Sequence, residues 1–425
     1  MATTYTSSMN FSNFGHKFTQ KSGILQLMDD LGNAMSDNSD MLMLGGGNPG
    51  HIPEVQVYFR QRMEKILDEK NSFEKLIGNY DPPQGDLAFT TALADLLKKT
   101  YNWNIRPENI ALTMGSQSSF FLLFNLFAGK FSNGKKKKIL FPLAPEYIGY
   151  SDLGLSDDFF TAQRPSIKHL DAHTFKYHVD FDGLEITDDI GAICVSRPTN
   201  PTGNVLTDEE MRQLMNLSEQ HQIPFIIDNA YGLPFPNIIF SEVEPVWNDG
   251  TILCMSLSKL GLPGTRTGIV IANTEIIDAI TGMNAIFNLA SSGFGAQLAI
   301  DMVKSGEIIS LSKELITSYY QEKAEQAIQW LSESLQGYDF HLHKAEGALF
   351  LWLWLRDLPI SSEELYDRLK ERGVLVVSGH YFFPGLNDDW QHKHECIRIT
   401  YSQDEMTVKK GLMIIAEEIR LAYDA

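Results

Sequence analysis

Lys259 stands in "CMSLSKLGLPGTRTG" (residues 254–268), just past the apolar run Thr251-Ile252-Leu253-Cys254-Met255 and shortly before Arg266. A lysine leaving the end of a buried strand is partly desolvated. Its pKa falls, and its neutral amine can form a Schiff base with an aldehyde cofactor. A snorkelling surface lysine is the ordinary alternative, so the neighbours must decide. Asp228 closes the apolar run of "IPFIIDNAY". A buried carboxylate there would raise the proton affinity of a pyridine nitrogen, which pyridoxal phosphate needs in order to accept electrons. Tyr231 is then placed to donate to the phenolic oxygen of that cofactor. The turn "RPTNPTG" (197–203) can hold the Asn200 amide rigidly at a sheet edge for the same oxygen. In "TMGSQSS", Gly115 marks a strand-to-helix turn at which the amides of Ser116 and Gln117 open a helix N-terminus. Ser256, Ser258 and Arg266 add hydroxyl and guanidinium donors, completing a cup for a dianionic phosphate. Each feature alone is common; lysine, aspartate, asparagine and arginine together in this order are specific.

Such residues act together only if separate strand ends meet. The middle of the chain alternates short apolar runs with helical patterns, the mark of an α/β fold with a mainly parallel sheet. Strands are predicted at 110–113, 138–143, 191–196, 223–228, 251–256 and 267–273. A helix opens at 116, and another follows the capping box Thr207/Glu210, with Met211, Leu214 and Met215 on one face. From about Glu307 the pattern becomes one long helix, then "ALFLWLWL", a helix around "SEELYDRLKER", the strands "VLVVS" and "CIRITY", and a final helix. Three parts are expected: an N-terminal segment (1–50) packing with the small domain, a large domain (51–306) and a small α+β domain (307–425).

With 425 residues, 43% hydrophobic and 11% aromatic, the chain can bury a large core. Its 35 basic against 54 acidic residues give a net charge of −19, which disfavours nucleic acid and anionic membranes as partners. Cys194, Cys254 and Cys396, an odd and scattered set, read as reduced core thiols of a cytoplasmic protein. The first twenty residues contain no apolar signal core, and "GALFLWLWL" is too short to span a bilayer. The lysine run 135–138 is predicted as a solvated turn before a strand. "HLH" (341–343) and "HKHEC" (392–396) lack full metal-ligand sets and are predicted as solvated histidines, with no metal. Glu346-Gly347 reads as a turn into a buried strand rather than as a catalytic acid.

From about Phe14 to the C-terminus, the chain resembles the fold-type I pyridoxal-phosphate aminotransferases. The motifs that carry the resemblance are "LGGGNP", "YDPPQG", "FPLAPEYIGY", "SRPTNPTGNV", "DNAYGLPFP", "SLSKLGLPG", "EGALFLWLW" and "FFPGL". It implies a large domain with a mostly parallel seven-stranded sheet and a smaller α+β C-terminal domain. It also implies roles: Lys259 carries the cofactor and shuttles the proton, Asp228 pairs with the pyridinium, and Tyr231 and Asn200 bond the phenolic oxygen. Tyr147 would stack on the cofactor. Ser116, Gln117, Ser256 and Arg266 would hold its phosphate, joined by Tyr80 from the second subunit of a homodimer. Arg398 would grip the substrate α-carboxylate, with Gly47 and Asn200 beside the substrate. Two departures stand out: where the common form reads Asn-Pro-x-Asn-Pro-Thr-Gly, this chain has Ser196-Arg197 in front of the first proline and so lacks the earlier asparagine, and the arginine follows the lysine by seven positions where many relatives have eight. The implied reaction is a ping-pong exchange between an amino acid and a 2-oxo acid. "GHYFFPG" and the resemblance suggest an apolar pocket for an aliphatic side chain. A lyase on the same cofactor is the rival chemistry. A ligand-sensing regulator is the rival class, and no room for its DNA-binding module is seen before "LGGGNP".

Overall fold

The computed structural model of the protein describes residues 10–20, 22–36 and 41–425. The first nine residues, on which the absence of a signal core was partly read, lie outside the described residues, as do parts of the N-terminal segment. The main sheet has eight strands: β1 (Ile110–Met114), β2 (Gly129–Lys130), β3 (Lys136–Phe141), β4 (Phe160–Ala162), β5 (Ile190–Ser196), β6 (Phe225–Asp228), β7 (Thr251–Ser256) and β8 (Thr267–Ile271). Their order is β1-β8-β7-β6-β5-β3-β2, with β4 also paired to β3. Seven of them form the expected sheet, and the two-residue β2 adds a short edge.

The run β7-β6-β5-β3-β4 is parallel, whereas β8 is antiparallel to both β7 and β1. Parallel strands are buried on both faces, and their residues alternate between them. Ile193, Val195, Ile227, Leu253 and Met255 enter one core, while Ala192, Cys194, Ile226, Ile252 and Cys254 enter the other. Two of the three cysteines are thereby placed as buried, unpaired core thiols, and Cys396 is buried and unpaired as well.

Register assembles the site. Ser196 and Cys254 both lie opposite Asp228 in the parallel ladders. Reversal of β8 puts its first residue, Thr267, opposite Met114 at the end of β1. One edge of the sheet therefore gathers the residues after β1, β5, β6 and β7 and the residue before β8.

A second, six-stranded sheet runs Val377–Ser378, Cys396–Thr400, Phe350–Trp354, His341–His343, Thr174–His178, Ser166–His169. Its last two strands come from the middle of the chain, which the sequence reading did not assign. Leu42–Met43 pairs in parallel with Val374–Leu375, tying the N-terminal segment to the C-terminal half. The long C-terminal helix carries a π-helical turn at Ser312–Ile316 between Glu307–Leu311 and Thr317–Ser334, where the Thr317 hydroxyl donates to the Asn237 and Ser312 carbonyls.

Two expectations are corrected. Lys136, Lys137 and Lys138 lie inside β3 rather than in a turn: β2 pairs with their backbone, and Lys138 forms an ion pair with Asp158 at 2.8 Å. His341, His343 and His392 are buried, not solvated. Their strand and loop are covered by aromatic rings, including that of Trp354. Burial pushes His343 and His392 down to about 3, so both are neutral. His343 Nε2 accepts the Tyr177 N–H at 3.1 Å, a structural partnership. Glu346 is buried against Lys176 and also accepts from Lys344 and the Val205 N–H, as an internal tie rather than an acid facing substrate.

Candidate active site

The sheet edge opens into a cavity of about 650 Å³, within the range of small-ligand sites. Lys259, Asp228, Asn200, Tyr231, Tyr147, Ser116, Gln117, Ser256, Ser258, Arg266, Arg398 and Gly47 all line it. Tyr80 does not. Its side chain is 83% exposed on the surface of this chain.

Lys259 lies in the short 3₁₀ turn Ser258–Leu260 that follows β7. Its Nζ donates to the Gly47 carbonyl at 2.5 Å and lies 5.2 Å from the centre of the Tyr231 ring. Burial, with the Arg398 and Arg266 charges adding to it and Asp228 opposing, pulls the amine down from 10.5 to about 8. A substantial neutral fraction is thus present near neutrality, as a nucleophile and general base require. Asp228 is half-buried at the end of β6, where it lines the cavity. Its Oδ1 accepts the Ala230 N–H at 3.0 Å and its Oδ2 accepts the Tyr150 hydroxyl at 2.5 Å.

The anion cup is built on Gly115. With φ at +83°, it sits where L side chains rarely go, and a Cβ there would lie 2.4 Å from Arg266 Nη2. The guanidinium therefore occupies the space that a side chain would fill, against the N-terminus of the helix Ser116–Phe127. Arg266 is itself left-handed, at φ 52°, a conformation that costs a non-glycine residue about 1 kcal/mol or more and is typical of functional sites. Ser256 Oγ accepts the Ser258 N–H at 3.0 Å, which fixes that turn. The Gln117 side chain donates to the Gly149 carbonyl at 2.9 Å, so its contribution to the cup is its backbone amide.

Arg398 lies in the second sheet, where it is 2% exposed. Its Nη1 donates to Asn200 Oδ1 at 2.7 Å and its Nη2 to the Gly45 carbonyl at 2.6 Å, and its Nε has no partner. Phe350 and Phe382 flank the guanidinium at 4.2 and 5.1 Å. Burial lowers its pKa to about 10 while Tyr231 and Tyr147 oppose the shift, so it stays charged. A buried cation with an idle donor and neutral partners is set up for a carboxylate.

These groups fit pyridoxal phosphate: an amine of lowered pKa, a half-buried acid lining the same cavity, and a cup in which arginine meets helix amides. Sequence reasoning missed Glu146 and Tyr150, which lie behind Asp228, and also the apolar wall. That wall comes from Ile24, Leu27 and Met28 of the helix Gly23–Ser36, with Met43 and Ile148. Only Phe382 of "GHYFFPG" approaches, through Arg398. The i, i+3, i+4 spacing of Ile24, Leu27 and Met28 was the available signal.

A family model described as aminotransferase class I and II matches residues 60–415. Valine–pyruvate aminotransferase of Escherichia coli (strain K12) is 52% identical over 415 residues, covering 98% of this chain and 99% of that protein. The crystal structure of valine-pyruvate aminotransferase AvtA from Salmonella typhimurium LT2 superposes with a TM-score of 0.87 at 52% identity, covering 95% of this chain and all of the other. A structure from Psychrobacter arcticum 273-4 gives a TM-score of 0.95 at 49% identity, covering 98% and 99% of the two chains.

Proposed function

Because this chain belongs to the class I and II aminotransferase family, a pyridoxal-phosphate-dependent group, we propose that it transfers the amino group of valine to pyruvate, giving 3-methyl-2-oxobutanoate and alanine. The carrying observation is the 52% identity to a valine–pyruvate aminotransferase across 98% of the chain.

The cofactor, when bound, supplies an electron sink for the bond to the amino acid's α-hydrogen. The chain does the rest. Lys259 would hold the cofactor through its amine, and that amine would be free to act as a base while substrate is bound. Asp228 keeps the ring nitrogen protonated, and Asn200 and Tyr231 donate to the phenolic oxygen. Ser116, Gln117, Ser256 and Arg266 hold the phosphate, while Tyr147 covers one face of the ring. Arg398 binds the α-carboxylate with its remaining donors, fixing the Cα–H bond across the ring, and such positioning supplies much of the rate. Once freed, the Lys259 Nζ would be the base that takes the Cα proton and, as an ammonium, the acid that gives it back. Release of the 2-oxo acid would consume one water and the reverse half-reaction with pyruvate would return it, so the net exchange is valine and pyruvate for 3-methyl-2-oxobutanoate and alanine. Ile24, Leu27, Met28 and Met43 face the site as a wall for an aliphatic side chain.

A homodimer is part of the same reading. Tyr80, Ile77, Ile286, Phe287 and Leu289 are all exposed, and they would be covered by a second copy, whose Tyr80 would reach this chain's phosphate cup. The three buried, unpaired cysteines suit a reducing cytoplasm, and no described helix is long and apolar enough to cross a membrane.

The experiment is a donor panel with pyruvate as acceptor, run on wild type and Lys259→Ala. Valine should lead and the variant should lose turnover. Preference for aspartate or glutamate over every aliphatic donor would overturn the substrate assignment, and near-normal turnover by the variant would remove Lys259 from its role.

A further inference from the structure

Behind Asp228 lies a chain of buried polar groups that the reaction outlined above does not use. The Tyr150 hydroxyl donates to Asp228 Oδ2 at 2.5 Å and lies 3.5 Å from Ser196 Oγ. Ser196 Oγ and Glu146 Oε2 share a hydrogen bond of 2.5 Å, and the Ser196 N–H donates to Glu146 Oε1 at 2.9 Å. Two carboxyl groups, Glu146 buried and Asp228 half-buried at the cavity wall, are thus linked by two hydroxyls. Register explains the meeting, since Ser196 pairs directly with Asp228 across β5 and β6.

Tyr150 is firmly held. Its ring stacks on Phe141 at 5.6 Å and 6°, and Phe120, Phe124 and Tyr147 close in at 4.9, 5.2 and 5.3 Å. Its hydroxyl therefore has one orientation to offer, toward the carboxylate. With Oδ1 tied to Ala230 and Oδ2 to Tyr150, the carboxylate plane of Asp228 is fixed, and its remaining lone pairs are left for the cavity.

The two acids are not equivalent. Burial raises both. Asp228 has Tyr150, the Ala230 N–H and the Lys259 charge to favour its ionised form. Glu146 faces Ser196, the Tyr147 backbone and the like charge of Asp228, and no cation pairs with it among the described residues; it is pushed up to about 8. Two adjoining carboxylates away from bulk water do not both ionise readily, so near neutrality the proton resides on Glu146, whose Oε2–H then donates to Ser196 Oγ across the 2.5 Å contact. Cys194, Cys254, Tyr147, Tyr150 and Tyr231, which also surround the pair, are pushed upward by burial and stay neutral.

We propose that Tyr150 is a positioning residue of this enzyme: its hydroxyl aims and stabilises the Asp228 carboxylate toward the cofactor's ring nitrogen, while Glu146, held behind Ser196, anchors the arrangement. This rests on pyridoxal phosphate being the cofactor.

The test loads wild type, Tyr150→Phe and Glu146→Gln with pyridoxal phosphate carrying nitrogen-15 at the ring position. Ring-nitrogen resonance, cofactor dissociation constant, and kcat and KM for valine are read for each. Wild type should show a protonated ring nitrogen. In Tyr150→Phe the resonance should move toward neutral pyridine, the dissociation constant should rise about tenfold or more, and kcat should fall more than KM rises. Glu146→Gln, which mimics the protonated acid, should keep the wild-type resonance and bind within about threefold of wild type. An analogue with C–H in place of the ring nitrogen should bind wild type and Tyr150→Phe alike. The proposal falls if Tyr150→Phe keeps the wild-type resonance and affinity, or if its deficit persists with the analogue. It also falls if the variant does not fold, which would assign the hydroxyl to the fold, or if Glu146→Gln shifts the resonance as far as Tyr150→Phe does. Failure of wild type to bind pyridoxal phosphate would instead overturn the cofactor reading itself.

Discussion

Arg398 offers the sharpest test of how the site reads its substrate, because shape and charge can be removed separately. Its Nη1 and Nη2 are anchored to Asn200 and Gly45 at 2.7 and 2.6 Å, and Nε is idle. The guanidinium is thus oriented before substrate arrives and keeps donors free for a side-on carboxylate. Charged hydrogen bonds contribute about 1.5–3 kcal/mol each. Two of them are worth about 3–6 kcal/mol, or roughly a hundred- to ten-thousandfold in kcat/KM. Lysine keeps the charge but not the fork. Arg398→Lys should therefore lower kcat/KM for valine by about that factor, measured as alanine formed under saturating pyruvate, with the melting temperature little changed.

Charge is tested by the neutral variant. Arg398 ranks just after burial among the causes that bring Lys259 down to about 8. Only the neutral amine attacks an aldehyde, so the rate at which apoenzyme takes up pyridoxal phosphate should rise with pH and level off above about pH 8. Arg398→Gln removes a repelling cation and should move that midpoint upward, toward the ordinary lysine value. Arg398→Lys should leave it in place. The reasoning fails if Arg398→Lys retains kcat/KM within a few-fold of wild type, or if Arg398→Gln leaves the uptake profile unmoved.

Gly115→Ala would place a Cβ 2.4 Å from Arg266 Nη2 at a φ of +83°; the guanidinium must swing away, and titration of apoenzyme should give a cofactor dissociation constant about tenfold higher. Tyr80→Phe tests the proposed homodimer: if Tyr80 of a second copy reaches the cup, the variant should keep its melting temperature yet bind the cofactor about tenfold more weakly, and an unchanged constant would take Tyr80 out of that role. Burial alone would raise the Glu210 carboxyl, but hydrogen bonds from His178, Thr207 and Val179 outweigh it and hold it down at about 2. Its stabilisation is complete above the ordinary glutamate range and is lost as pH falls toward about 2. Glu210→Ala should cost about 2 kcal/mol in urea denaturation at neutral pH, and the gap from wild type should close as the solution is acidified.

Much of the site was legible because each residue's type, and its place at a strand end, already implied its chemistry. Lys259, Asp228 and Asn200 follow apolar runs whose ends parallel pairing must bring level, so the sheet edge was implied by the runs themselves. Glu146 and Tyr150 were not legible. Acids are rarely buried, so Glu146 reads by default as a surface residue, and its partner Ser196 is fifty positions away. The hairpin Ser166–His169/Thr174–His178 was missed because its first strand is largely exposed and lacks an apolar alternation. The histidines were misread for the opposite reason: polar side chains carry no mark of burial, and only the aromatic packing of the second sheet buries them.

The chain's net charge of −19 would suggest a poor host for an anionic cofactor and carboxylate substrates, yet three basic side chains, Lys259, Arg266 and Arg398, line one cavity in which Asp228 is the one acid among the described lining residues. The contrast is resolved by distance. Surface charges more than about 10 Å away are largely screened at physiological salt, whereas groups inside a closed cavity are not. Within that cavity the balance depends on Glu146 keeping its proton. An ionised Glu146 would set a second negative charge beside Asp228 and offset part of the pull on phosphate and carboxylate. The buried acid that the reaction leaves untouched thus helps to decide whether the site stays attractive to anions at all.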